Sequence, residues 1–314
     1  MLSIEEIRAL GDVDPEFEVI LKSGSPFLAG WNSDTNIPQL RSIIAKAKEA
    51  QPKPDLASLA YTQEDIEVPV RDDGKVVVRV YKPRGDAPED GRPGFIVFHG
   101  GGYAVGDLDT EAWLCALFAE LGGVAVNVDY RHAPEHVFPA AINDAFDATK
   151  WVAQNVESLG INPKKGLLIG GESSGGDMAL IVAHLYQEEE SVPEKYKDYF
   201  ISMEQLADAP VLDAASIQFI RKNYQADLKS PLVFPLLFPD HGGIPKTYFQ
   251  VCGLDVVRDC GLVVEQVLRD AGVPTRLDIY PGVPHAFWAL FPQLSQSKKQ
   301  AQDARKGLEW LLTR

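Results

Sequence analysis

Five short apolar runs constrain this chain more than any other feature: residues 95–98, 124–128, 167–169, 248–251 and 276–280. Each shows little polar face, and helix-length segments separate them, with candidates at 110–121, 140–155, 176–186, 261–271 and 295–312. Strands buried on both faces and alternating with helices form a mostly parallel, doubly wound α/β sheet. The first strands differ. Ile66, Val68 and Val70 alternate with polar neighbours, Asp72-Asp73-Gly74 supplies a turn, and Val76, Val78 and Val80 resume the alternation, which is an antiparallel hairpin.

Residues 1–60 read as short peripheral helices. Ile4, Ile7, Arg8 and Leu10 give one amphipathic stretch; Leu40, Ile43, Ile44 and Ala47 give another that stops before Pro52 and Pro54; Gly24-Ser25-Pro26 and Gly30 mark a loop between them. Residues 188–226 break the strand–helix alternation, carrying charge and then a helical pattern through Ala215, Phe219, Ile220 and Tyr224. The expected organisation is a catalytic domain at 61–314 with an insertion at about 188–226, which forms a small helical cap with the helices of 1–60. Two surface helices with no part in access are the alternative.

Bulk chemistry removes several function classes. A net charge of −15 repels phosphate backbones, so nucleic acid is not expected as a partner. Cys115, Cys252 and Cys260 are too scattered for a disulfide framework or a zinc ribbon, which points to a reducing, cytoplasmic setting. The acidic start, Met1 to Glu6, lacks the order of a signal peptide, and no apolar run reaches spanning length; the most apolar loop, 231–239, is too short and rich in proline. There is no His-Glu-x-x-His and no spaced carboxylate–histidine cluster, so neither metal nor cofactor is expected.

Two motifs carry chemistry. Gly171-Glu172-Ser173-Ser174-Gly175-Gly176 follows one apolar run and opens a helical pattern, the setting of a nucleophile elbow. A strand turning at once into a helix strains its middle residue and crowds its glycines, lifting the Ser173 hydroxyl beside a helix N-terminus. His99-Gly100-Gly101-Gly102-Tyr103 follows another run. Its bare amides can face an oxyanion, with Gly100, Gly101, Gly102 and Ser174 as candidate donors. A phosphate cradle would need a Gly-Lys-Ser/Thr that does not follow.

With Asp129-Tyr130-Arg131-His132-Ala133-Pro134-Glu135-His136-Val137-Phe138-Pro139-Ala140, these motifs resemble the hormone-sensitive-lipase group of α/β-hydrolases, which includes microbial esterases, plant carboxylesterases and arylacetamide deacetylases. The likeness covers residues 65–185 and 245–290. It implies the α/β-hydrolase fold and hydrolysis of small or medium acyl esters through an acyl-enzyme. Ser173 would need a base and an orienting acid. His285 lies in the loop after the last strand, where this fold places its base, and the order serine, acid, histidine makes Asp255 the acid. Asp259 is the competitor, better suited to a helix N-terminus or a pair with Arg258. His99, His132 and His136 are expected to brace their loops; His184 sits in the helix after the elbow and His241 precedes the acid.

Three departures from the group stand out: Asp255-Val256-Val257 for its usual Asp-Pro-Leu, Glu172 and Ser174 for Asp and Ala in the elbow, and His132 for leucine. Tyr103, with Phe219 and Tyr224 of the inserted stretch, is expected to line the pocket. The partner is a small-molecule ester, and a homodimer is the one assembly entertained. Non-hydrolytic chemistry on the same three residues (dehydratase, cyclase or acyltransferase) is the alternative, with a non-catalytic small-ligand receptor behind it.

Overall fold

The computed structural model describes residues 2–50, 52, 55–185, 194–238 and 240–313. The start of the expected insertion (188–193), Tyr186, Pro54 and Pro239 lie outside the described residues. In chain order the elements are α1 (Ile4–Ala9), α2 (Pro15–Ser23), α3 (Ile37–Glu49), β1 (Tyr61–Pro69), β2 (Lys75–Pro83), β3 (Gly94–Phe98), α4 (Ala112–Glu120), β4 (Val124–Asp129), α5 (Ala140–Gln154), α6 (Val156–Leu159), β5 (Leu167–Gly171), α7 (Ser174–Leu185), α8 (Ser202–Gln205), α9 (Ala214–Tyr224), β6 (Thr247–Leu254), α10 (Arg258–Asp270), β7 (Thr275–Pro284), α11 (Phe287–Leu290) and α12 (Ser295–Leu312). The chain separates into two compact units.

One unit comprises Thr35–Tyr186 and Lys222–Pro235. Its five-stranded sheet has the order β1-β2-β4-β3-β5. β1 and β2 form the expected hairpin, in which Asp72 and Asp73 both take positive φ, as a tight turn matched to strand twist requires. β2 then pairs antiparallel with β4, while β3 pairs in parallel with β4 and with β5. β3 is buried throughout and β4 nearly so, which is why these runs carry almost no polar residue. α5 turns Ala141, Ile142, Ala145, Ala148 and Val152 inward on one helical stripe.

The other unit comprises Met1–Asp34, Gln187–Arg221 and Leu236–Thr313. β6 and β7 pair in parallel, and α10 and α12 pack on them. α2, which apolar periodicity did not single out, starts on Pro15 with Asp14 Oδ1 accepting from the Glu16 and Phe17 N–H groups at 2.8 and 3.1 Å. The expectation that the N-terminal helices are peripheral is corrected here. Phe17 is fully buried in a cluster with Leu254, Tyr280, Phe287 and Phe291, and Ile7 is buried with Val251 and Leu262. Burying a side chain of that size stabilises by about 1.5–3 kcal/mol, enough to anchor a short helix. In this same unit α9 begins where the helical pattern of the inserted stretch was expected.

The elbow is the tightest point of the first unit. A Cβ on either Gly171 or Gly175 would fall on the Phe98 carbonyl oxygen at the end of β3. Backbone cannot give way there as a flexible side chain would, so Gly175→Ala is expected to lower the unfolding free energy by about 1–3 kcal/mol in urea denaturation. A midpoint equal to that of the parent chain would show the contact to be soft.

Candidate active site

β5 ends at Gly171 and α7 begins at Ser174, so the chain reverses within two residues. Ser173 takes φ 52, a strained conformation for a residue with a side chain, and it is exposed. The glycine loop lies against it: a Cβ placed on Gly100 would come within 3.5 Å of the Ser173 Cβ. Gly101, Gly102 and Tyr103 follow with φ 119, 59 and 60. Three successive left-handed residues turn the loop back on itself, and only the first two are glycine.

The Gly100 N–H, expected among the oxyanion donors, is engaged elsewhere. It donates to Glu111 Oε1 at 2.9 Å, and that carboxyl is buried at the start of α4. Among the described residues no protein acceptor meets the N–H of Gly101, Gly102 or Ser174. Burial pushes the Glu111 carboxyl above the usual range, against the Gly100 N–H, nearby His99 and hydrogen bonds from Trp113 and Glu172. Sequence reading missed Glu111, because nothing in its spacing separates it from an ordinary helix-start glutamate.

The loop that follows β4 is braced by charge. Arg131 makes a two-point contact with buried Asp144 of α5, Nε to Oδ2 at 2.9 Å and Nη2 to Oδ1 at 2.7 Å. Arg41 of α3 donates to the Ala104 and Ala133 carbonyls and pairs with Glu135. His99 is fully buried, stacked on Tyr130 at 4.2 Å, with Nδ1 2.8 Å from the Gly100 carbonyl. His132 reaches it from the loop, Nε2 to Nε2 at 3.3 Å. Ligand atoms of His99, Asp129 and His132 all lie within 4.8 Å of one another. This corrects the expectation of no carboxylate–histidine cluster: His99 directly follows one strand and Asp129 ends another, so the parallel pairing of β3 and β4 unites them.

Of the expected pocket residues, Tyr103 and Tyr224 stack face to face, centroids 4.1 Å apart and planes 5° from parallel. The Tyr103 hydroxyl donates to Asp177 Oδ2 at 2.8 Å. Burial raises the Asp177 carboxyl to about 7, although the tyrosine hydroxyl pulls it down. Asp177 was also missed; it stands one helical turn after Ser173. Phe219 lies in the other unit, edge-on to Trp31. His184 is buried, with Nδ1 2.8 Å from the Leu180 carbonyl, a packing role.

In that other unit a strand irregularity sets the geometry. β6 and β7 run in register to Cys252 opposite Tyr280, then shift so that Leu254 faces Pro284. Gly282, at φ 70, takes up the extra residues of β7. The next residue of each strand is Asp255 and His285, and His285 Nδ1 lies 2.6 Å from Asp255 Oδ2. Asp255 is buried, and its Oδ1 accepts from the Val257 N–H at 3.0 Å. The carboxylate therefore holds the Nδ1–H tautomer and leaves Nε2 as the base nitrogen. Burial disfavours the imidazolium, but the charge and hydrogen bond of Asp255 outweigh it and raise the His285 pKa above the ordinary 6.5. Asp259 is otherwise occupied: it pairs with Arg258 at 2.7 Å and accepts from the Ile201 and Ser202 N–H groups.

The family model for the alpha/beta hydrolase fold matches residues 95–289. An AB hydrolase superfamily protein of Schizosaccharomyces pombe is 38% identical, over 96% of this chain and 94% of that one. The versiconal hemiacetal acetate esterase of Dothistroma septosporum is 37% identical, over 80% and 82%. Among solved structures, vibralactone cyclase superposes with a TM-score of 0.84 at 29% identity, covering 97% of this chain and 96% of that one. No helix among the described residues is long and apolar enough to cross a membrane. With the elbow, the glycine loop and the histidine–aspartate pair in place, the chain belongs to the alpha/beta hydrolase family, in its hormone-sensitive-lipase-like group of carboxylesterases.

Proposed function

We propose that the chain cleaves small or medium acyl esters through an acyl-enzyme on Ser173, with His285 as general base and Asp255 orienting it. The observation that carries this reading is the 2.6 Å pair of His285 and Asp255, formed on a buried carboxylate at the ends of two adjacent parallel strands. Ser173 attacks the ester carbonyl as His285 Nε2 takes its proton; the alcohol leaves with that proton, and water repeats the sequence to release the acid. The amides of Gly101, Gly102 and Ser174 stabilise the oxyanion, Gly100 being held by Glu111. Tyr103, Tyr224 and Phe219 remain the candidate substrate-contacting residues, with Asp177 held by Tyr103. The acetate named for the Dothistroma relative supports short acyl groups. Three reduced cysteines, Cys115, Cys252 and Cys260, support a cytoplasmic setting.

Ser173→Ala is expected to reduce kcat for p-nitrophenyl acetate by about 10⁴-fold or more with the fold intact by circular dichroism. Retained turnover would remove the serine from the reaction. The pH profile carries a second test. The base works only when neutral, and its pKa lies above 6.5, so kcat/KM should fall as the pH drops through a value higher than that of an ordinary histidine. Asp255→Asn should move that limb downward and cost about 10⁴-fold in kcat. An acid limb at or below 6.5 in the parent chain would contradict the pairing.

The likeness to vibralactone cyclase favours a second reading, in which an internal hydroxyl rather than water accepts the acyl group. Mass analysis decides between them. Hydrolysis adds the mass of water to the products, and cyclisation of a hydroxy-ester yields a lactone without a free acid.

A further inference from the structure

Beneath the glycine loop, a group of side chains remains that ester hydrolysis does not use. His99 directly follows β3, Asp129 ends β4, and His132 stands three residues further on. The His99 Nδ1 faces the Gly100 carbonyl at 2.8 Å, which fixes its proton there and leaves the Nε2 lone pair directed at His132. Metal-binding imidazoles are held in this way, with the second nitrogen bonded to a carbonyl.

The spacing of the rings is informative. Two imidazoles bound through Nε2 to one tetrahedral ion, at about 2.05 Å each, place their nitrogens about 3.3 Å and their centroids about 5.2 Å apart. The observed separations are 3.3 Å and 5.2 Å. A straight N–H···N hydrogen bond of the same length would put the centroids about 5.6 Å apart. Asp129 Oδ1 lies 3.7 Å from His99 Nε2, and one ligand atom of each of the three residues falls within 4.8 Å of the others. The Asp129 side chain is 36% exposed, so water reaches the carboxylate. Arg41, whose charge acts on His132, is paired with Glu135.

We propose that His99 Nε2, His132 Nε2 and the Asp129 carboxylate form a binding site for one borderline divalent transition ion of the zinc, cobalt and nickel class, completed by water. Two imidazoles and one carboxylate suit these ions and not magnesium or calcium, which take oxygen ligands. The ion would hold the ring of the residue that opens the glycine loop, tying that loop to the end of β4. It takes no part in the acyl transfer proposed above.

The full chain, stripped with a chelator, is titrated with Co²⁺ and followed by its visible d–d absorption. One equivalent should give the intense bands of a four-coordinate ion, displaced by Zn²⁺ and unaffected by Mg²⁺. His285→Ala should keep the signal, which separates this site from the catalytic histidine. His132→Leu should abolish it and Asp129→Asn should weaken binding at least tenfold, with both variants checked by thermal unfolding in the absence of metal. Intense bands absent from the parent chain would overturn the proposal, as would bands that persist in a folded His132→Leu variant.

Discussion

The approach of the Phe98 carbonyl to Gly171 and Gly175 is the constraint on which the serine side of this molecule depends. Two strands of a parallel sheet end side by side there, and the chain from β5 must enter α7 without a side chain at either glycine. That crowding holds Ser173 at a strained positive φ, and it sets Gly100 against the same serine. The strain is local, while the restraint is the buried β3, which cannot move without disturbing β4 and β5 on either side. One backbone contact thus positions both the hydroxyl and the amides next to it.

The histidine side has a different foundation. The register shift between β6 and β7 decides that Asp255 and His285 leave their strands together. Had the register continued from Cys252 and Tyr280, Leu254 would have met Gly282, and the imidazole would stand two residues beyond the carboxylate. The shift is held from outside the sheet: Gly282 donates its N–H to the Leu10 carbonyl at 2.7 Å, and its own carbonyl accepts from the Asp14 N–H at 3.0 Å. The segment joining α1 to α2 therefore stabilises the loop that carries the base, which gives the first helices a purpose beyond covering a surface.

Buried carboxyls recur around the glycine loop, and their surroundings assign them different parts. Asp144 faces a guanidinium and braces a loop. Glu111 takes one N–H of the glycine loop and thereby limits the candidate oxyanion donors to three. Asp177, which accepts from the Tyr103 hydroxyl, is pushed up to about 7 by burial beside the stacked tyrosines.

The amino-acid sequence by itself determined the strand–helix alternation, the hairpin and its Asp72-Asp73 turn, the elbow and the glycine loop. Each is written in contiguous residues whose period or backbone demands have one solution. It also singled out His285 and Asp255, through the position of each after an apolar run. It did not determine that Phe17 and Ile7 are core residues, that Glu111 engages Gly100, that Asp177 meets Tyr103, or that His99, Asp129 and His132 converge. Those facts join residues on different elements, and strand pairing, the β7 irregularity and helix packing decide them. Local sequence specifies local geometry; burial and register, which set distances between remote side chains and the protonation of carboxyls, exist only once the chain has folded.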